Sequence, residues 1–195
     1  DSILLSNVLL SDAVMFEMLF PKEASFVVKA YEEFTLQSAT SIAERFGRDI
    51  GHISRVSSVA LEIYDKMKKL HGYKLRERTL LQVSAILQDI GKYVNVKNHA
   101  LLSYNTITNL DIVGINDHER LIIATVCYYH NGNIPSMDSP IYNQLSQEDR
   151  VMVSKLAAIL QISNAINTSH SPKFEQVSVN MKNGKLNIYL TTLKN

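Results

Sequence analysis

A mainly α-helical bundle closed by a C-terminal β-hairpin is the fold that two patterns in the sequence predict. Apolar residues recur at spacings of three and four along most of the chain, and only 7 Gly and 4 Pro interrupt them, so helices have room to run. After Ser171-Pro172 the pattern switches to alternation. Val177, Val179 and Met181 face one way, Asn183-Gly184 supplies a hairpin turn, and Leu186, Ile188 and Leu190 resume the same face.

In chain order, Ser11-Asp12 caps a short helix through Phe20. Pro21 opens a longer one through Phe46, with Phe26, Val27, Ala30, Phe34 and Leu36 as a partial apolar stripe, and Gly47 stops it. This segment reads as a linking helix. The next helix, from about 50 to 71, carries Ile53, Val56, Ala60, Ile63, Tyr64 and Met67; Gly72 ends it, with Lys68, Lys69 and His71 in the last turn. Further helices are predicted at about 76–90, 100–109, 117–130 and 146–167, the last two parted by the breaker-rich NGNIPSMDSP. A lone two-stranded hairpin is marginal in water, so the terminal strands must pack on the helices or pair with material outside the chain. The apolar runs of DSILLSNVLL look like a strand and turn of another domain, and the chain starts at Asp1 rather than Met, so a piece of a longer protein is expected.

Composition narrows the function. With 20 Lys+Arg against 19 Asp+Glu, a broadly basic nucleic-acid binder is excluded, and any polyanion site must be local. No apolar run approaches the roughly 18 residues that span a bilayer, and the N-terminus lacks a basic leader. A single cysteine, Cys127, excludes an internal disulfide and a Cys-rich zinc site and fits a cytoplasmic protein. It sits in an apolar helix and reads as core rather than nucleophile.

The residues that carry chemistry fall in an ordered series. His52 opens a helix, Gln88-Asp89 closes one and leads into Ile90-Gly91-Lys92, His99 starts another, His130 ends the next, and Asn164 lies late in the last. A divalent phosphohydrolase centre needs neutral imidazoles and carboxylates converging from several helices, and this order is one way to supply them. An Asp at a helix C-terminus is disfavoured by about 0.3–1 kcal/mol, so Asp89 demands a partner, with His52, His130 and Lys92 as candidates. Arg48, Arg55, Lys92 and Lys97 would line one side of a groove for a phosphate chain; the competing reading is a set of solvated charges. His71, His118 and His170 stand in polar contexts and read as solvated. The Gly residues are scattered singly, so no Gly-rich phosphate cradle is present in the sequence.

Four segments carry a resemblance: GHISRVSSVALEIYDKMKKLHG, RERTLLQVSAILQDIGKYVNVKNHALLSYNTI, ERLIIATVCYYHNGNIP and VSKLAAILQISNAIN. Through them the chain resembles the HD superfamily and, more specifically, the C-terminal helical domain of the Ppx/GppA exopolyphosphatase and guanosine pentaphosphatase family, over roughly residues 50–190. The resemblance implies an HD-like multi-helix bundle at 49–170, a linking helix at 21–48, a terminal hairpin at 171–195, and the tail of an actin-like phosphatase domain at 1–20. Carried over by position, His52 matches the first HD histidine, Asp89 the aspartate of the dipeptide, His99 a His of the histidine-rich turn, and His130 the His of the Tyr-His segment. Gln88 stands where a metal-binding HD protein has its second His, and Asn164 where it has its final Asp. A neutral amide is a poor replacement for either ligand.

The implied site is therefore a degenerate HD set of His52, Gln88, Asp89, His99, His130 and Asn164, with no catalytic residue, no metal and no cofactor in this chain. Hydrolysis of terminal phosphoanhydrides, with Mg²⁺ in the intact enzyme, is assigned by the resemblance to the missing actin-like domains. This chain would bind polyphosphate or a guanosine polyphosphate through Arg48, His52, Arg55, Lys92 and Lys97, or join two copies in a homodimer. It would be inactive alone and have no membrane or nucleic-acid partner. Two other readings compete. One is a stand-alone HD-type metal-dependent nucleotide phosphohydrolase working through His52, Asp89 and His130 with Gln88 tolerated; the other is an interaction module whose hairpin or N-terminal segment adds to a partner's sheet.

Overall fold

The computed structural model describes residues 15, 18, 19, 21–167, 174–182 and 184–192. The strand and helix expected over residues 1–20 lie outside these, except Met15, Met18 and Leu19, which are helical; His170 and Asn183 also lie outside them. The helices are α1 (Pro21–Arg45), α2 (Ile50–Lys66), α3 (Lys68–His71), α4 (Leu75–Leu87), α5 (His99–Ile107), α6 (Asp117–Tyr129), α7 (Pro140–Asn143) and α8 (Gln147–Ile166). A 3₁₀ turn, Ile90–Tyr93, follows α4, and strands β1 (Phe174–Lys182) and β2 (Lys185–Thr192) close the chain.

The helix starts are set by side chains that take up otherwise unpaired backbone donors. Asp49 accepts from the Gly51 N–H at 2.8 Å to begin α2, and Ser146 accepts from the Asp149 N–H at 3.1 Å to begin α8. Asn116 and Glu119 form a reciprocal capping box at the head of α6. Gly47 and Gly72 end their helices with positive φ of 64° and 71°, a conformation open to Gly without steric cost.

Two helices depart from the sequence expectation. The predicted helix over 50–71 breaks at Met67, whose φ of −89° and ψ of 3° leave the helical region, and α3 is a single further turn. The cause is His71, which is buried rather than solvated. Its Nε2 donates to the Tyr64 carbonyl at 2.8 Å, its Nδ1 accepts from the Tyr73 N–H at 3.0 Å, and its ring lies between those of Tyr64 and Tyr73. The helix predicted over 76–90 stops at Leu87, because the next residues tighten into the 3₁₀ turn.

The core is built around α4. Leu80, Leu81, Val83, Ala85, Ile86 and Leu87 are all buried, and α1, α2, α6 and α8 pack around them. A helix apolar on nearly every side is a helix surrounded by others. The second half of α1, expected as a linker, contributes Ala39, Ile42 and Ala43 to this core. The hairpin pairs Val177 with Leu190, Val179 with Ile188 and Met181 with Leu186, the register that the alternation predicts. It docks on α2: Val179 is buried, and its N–H donates to Glu62 Oε1 at 2.7 Å. No helix among the described residues is long and apolar enough to cross a membrane.

One ion pair ties α4 to α6. Arg76 donates through Nε to Glu119 Oε1 at 2.6 Å and through a second nitrogen to the Gly114 carbonyl at 2.7 Å. Burial raises the Glu119 pKa, but the Arg76 guanidinium and the Asn116 N–H outweigh it, and the net value lies below the ordinary one. A depressed carboxyl pKa stabilises the fold above the ordinary glutamate range, and that contribution drains away as pH falls through the folded value. Glu119→Gln is therefore expected to lower stability by about 1 kcal/mol at neutral pH and by progressively less in acid. Urea unfolding of both proteins from pH 7 to pH 3 checks this; a difference that stays constant with pH contradicts it.

Candidate functional site

The series of chemistry-bearing residues is assembled by the seam between the end of α4 and the start of α5. Ser103, one turn into α5, donates to the Gln88 carbonyl at 2.7 Å and accepts from the Gly91 N–H at 2.9 Å. Gly91 permits the approach. A Cβ there would lie 2.2 Å from the His99 carbonyl oxygen and 2.5 Å from the Ser103 nitrogen, both backbone atoms. This contact places His99, the first residue of α5, beside Asp89. His130, at the C-terminal cap of α6, completes the group.

The Asp89 carboxylate is the centre of the arrangement. Its Oδ2 accepts from Lys92 Nζ at 2.7 Å, while Oδ1 lies 3.4 Å from His130 Nε2 and 3.6 Å from His99 Nε2. The two imidazole Nε2 atoms are 3.3 Å apart. Asp89, His99 and His130 are 8%, 7% and 5% exposed. Burial pushes the Asp89 pKa up, yet the neighbouring His130 and the Lys92 ammonium overcome it and hold the carboxyl well below the usual range. Burial is also the largest influence on His99, and it lowers that pKa. The partners demanded by an Asp at a helix end are therefore Lys92, His130 and, in addition, His99.

His52 is placed differently. It is half-buried in the first turn of α2, where its backbone N–H meets the Asp49 carboxylate, and it is not one of the three residues whose ligand atoms lie within 4.8 Å of one another. Gln88 and Asn164, the two departures from the metal-binding pattern, face each other. Gln88 Nε2 donates to Asn164 Oδ1 at 2.9 Å, and Asn164 Nδ2 donates to Gln88 Oε1 at 2.6 Å. Each amide satisfies the other in a closed ring of two hydrogen bonds, which explains how Gln88 can be 2% exposed.

The five basic residues expected to form a phosphate groove are spread over two neighbouring segments. Arg48 and Arg55 are half-buried on either side of His52, and Lys97 is exposed before α5. Lys92 lies in the 3₁₀ turn with its ammonium on Asp89. The segments meet through Phe46 and Tyr93, whose rings pack edge to face at 5.8 Å. Neither this ring contact nor Ser103 is marked by any motif: both join residues distant in sequence. His118 is exposed as expected, but pairs with buried Asp149 at 2.9 Å. Cys127 is fully buried, and its thiol donates to the Ser84 carbonyl at 3.4 Å.

A family model described as Ppx/GppA phosphatase, domain III, matches residues 36–195. The chain belongs to the Ppx/GppA phosphatase family. The match begins inside α1, at the half of that helix that enters the core, and takes in every later helix and the hairpin. In this Ppx/GppA domain III the seam around Asp89 is thus an internal feature of the matched unit, and so is the Gln88–Asn164 pair.

Proposed function

We infer that this domain III holds the polyphosphate chain, or the phosphate groups of a guanosine polyphosphate, for an exopolyphosphatase whose cleavage chemistry belongs to actin-like domains of the same protein. The observation that carries the reading is the Phe46–Tyr93 contact, which joins the α1–α2 junction and the start of α2, bearing Arg48, His52 and Arg55, to the turn bearing Lys92. Lys97 follows four residues after Tyr93. A linear polyanion is well served by such a rim, because guanidinium and ammonium groups bind phosphoryl oxygens through charge-assisted hydrogen bonds without base-specific contacts. The Gln88–Asn164 ring favours holding over cleaving, since two of the positions that would ligate a catalytic metal are engaged with each other. On this reading the unit that binds extends from the second half of α1 through α8, and the hairpin braces α2 from outside.

Calorimetric titration of the 195-residue chain with polyphosphate of defined length tests it. Binding without phosphate release is expected, weakening steeply with salt. Arg55→Ala or Lys97→Ala is expected to weaken binding about tenfold, the equivalent of one charge-assisted hydrogen bond of roughly 1.5 kcal/mol. Binding that is absent, or indifferent to both substitutions, overturns the reading.

A further inference from the structure

We propose that the outer edge of β2 and the apolar groove beside it form a docking slot for an extended, acidic peptide segment, which joins the hairpin as a third, antiparallel strand. The proposal is independent of polyphosphate binding, because none of these residues belongs to the basic rim around Phe46 and Tyr93.

The two edges of the hairpin are not equivalent. Along an antiparallel ladder, pairs with mutual hydrogen bonds alternate with pairs without them, and residues of the second kind turn their N–H and C=O away from the partner strand. Val179 is of that kind, since its N–H donates to Glu62 Oε1 on α2 at 2.7 Å. Its cross-strand neighbour is Ile188, and the alternation puts the Val177–Leu190 and Met181–Leu186 pairs in the same class. The backbone groups of Leu186, Ile188 and Leu190 therefore point out along the far edge of β2. The edge of β1 lies against α2, whereas that of β2 meets no further strand among the described residues. An open edge is a template for another strand, and β2 has no Pro to blunt it.

Beside this edge lies a groove of about 330 Å³, lined in the main by Met67, Leu70, Ala158, Ile159, Ile162 and Leu186. Leu186 borders it on β2, α8 and the turn around α3 supply the rest, and β1 contributes none of its lining. A strand paired to β2 sends alternate side chains to the helix-facing side, into this groove, while its backbone completes the ladder. It also covers Leu70 and Ile162, which are 60% and 38% exposed. An acyl chain could fill the groove but offers nothing to the backbone groups of the edge; a peptide serves both.

Charge selects the kind of peptide. Lys155 lines the groove, its ammonium 4.9 Å from the centre of the Tyr73 ring, Lys68 and Lys69 stand between Met67 and Leu70, and Lys185 precedes Leu186. All four are exposed, and no acidic residue lines the groove. Glu62 and Asp65, on the adjoining end of α2, are engaged by the Val179 N–H and by Arg78. A basic margin attracts a strand that carries carboxylates and disfavours one that carries ammonium groups. A second copy of this chain is a poor match, because its β2 has no acidic residue to offer.

Fluorescence anisotropy of the 195-residue chain with a labelled eight-residue peptide alternating Val and Glu, at low salt and without phosphate, tests the proposal. Saturable binding is expected. It should weaken at least about tenfold when Lys replaces Glu in the peptide, or when the Val nitrogens, which face β2 in an antiparallel pairing, are methylated. Methylating the Glu nitrogens, which face away, should be tolerated. Leu70→Glu, at an exposed position and with its fold checked by thermal unfolding, should also lose about tenfold, since it places a carboxylate in the slot. Absent binding, equal binding of the Lys peptide or of the Val-methylated peptide, or indifference to Leu70→Glu overturns the proposal. So does a dimer of the chain alone that dissociates in Leu70→Glu, because the slot would then be filled by a second copy. No phosphate ligand enters these measurements, so their failure leaves the polyphosphate reading untouched.

Discussion

Gly91→Ala is expected to destabilise the protein by about 3 kcal/mol, at or above the upper end of the usual cost of overpacking. The argument rests on what the new methyl would meet. At 2.2 Å from the His99 carbonyl oxygen and 2.5 Å from the Ser103 nitrogen, it strikes the backbone of the first turn of α5, which cannot rotate aside as a side chain would. Relief requires α5 to move away from the 3₁₀ turn. That movement breaks both hydrogen bonds of Ser103 and draws His99 away from Asp89. Denaturant unfolding measures the loss, and a change under about 1 kcal/mol would mean that the seam yields easily and does not hold the trio.

The second large effect concerns the amide pair. Asn164→Leu strands the Gln88 amide, which is 2% exposed, and an unsatisfied buried polar group costs about 1–3 kcal/mol. Gln88→Leu should cost less in polar terms, because Asn164 is only half-buried and can turn toward water. In the double variant neither amide is left to strand. Its total is expected to fall short of the sum of the singles, with a coupling in the range of about 0.5–3 kcal/mol. A double-mutant cycle by chemical unfolding checks this, and strict additivity would show that the two amides do not depend on each other.

Much of the fold is legible in the sequence because it follows from local periodicity. The spacing of Ile53, Val56, Ala60 and Ile63 locates α2, and the alternation from Val177 to Leu190 gives the hairpin its register. Helix ends are less legible where a distant or backbone partner decides them. Nothing in the pattern of residues 50–71 shows that His71 folds back on the Tyr64 carbonyl and breaks the helix at Met67.

The site divides in the same way. Residue types and order single out His52, Asp89, His99 and His130, and the family resemblance identifies Gln88 and Asn164 as departures. That the two departures meet is a tertiary fact, made by side chains 76 positions apart. His52 belongs to the same series by order, yet the packing of α2 leaves it outside the trio, since order along a chain specifies no distance. The sequence sets Arg48, Arg55, Lys92 and Lys97 along one side of a groove, but the contact that joins their two segments is made by two aromatic rings that no charge pattern reveals.

The position of Cys127 has a practical consequence. It is the chain's one cysteine, wholly enclosed between α4 and α6, and burial pushes its thiol pKa far up, so the reactive thiolate is scarce in the native state. A thiol reagent can reach its sulfur only when those helices part. The molecule thus carries its own clock for core opening: the labelling rate of one atom counts how often the centre of the bundle breathes.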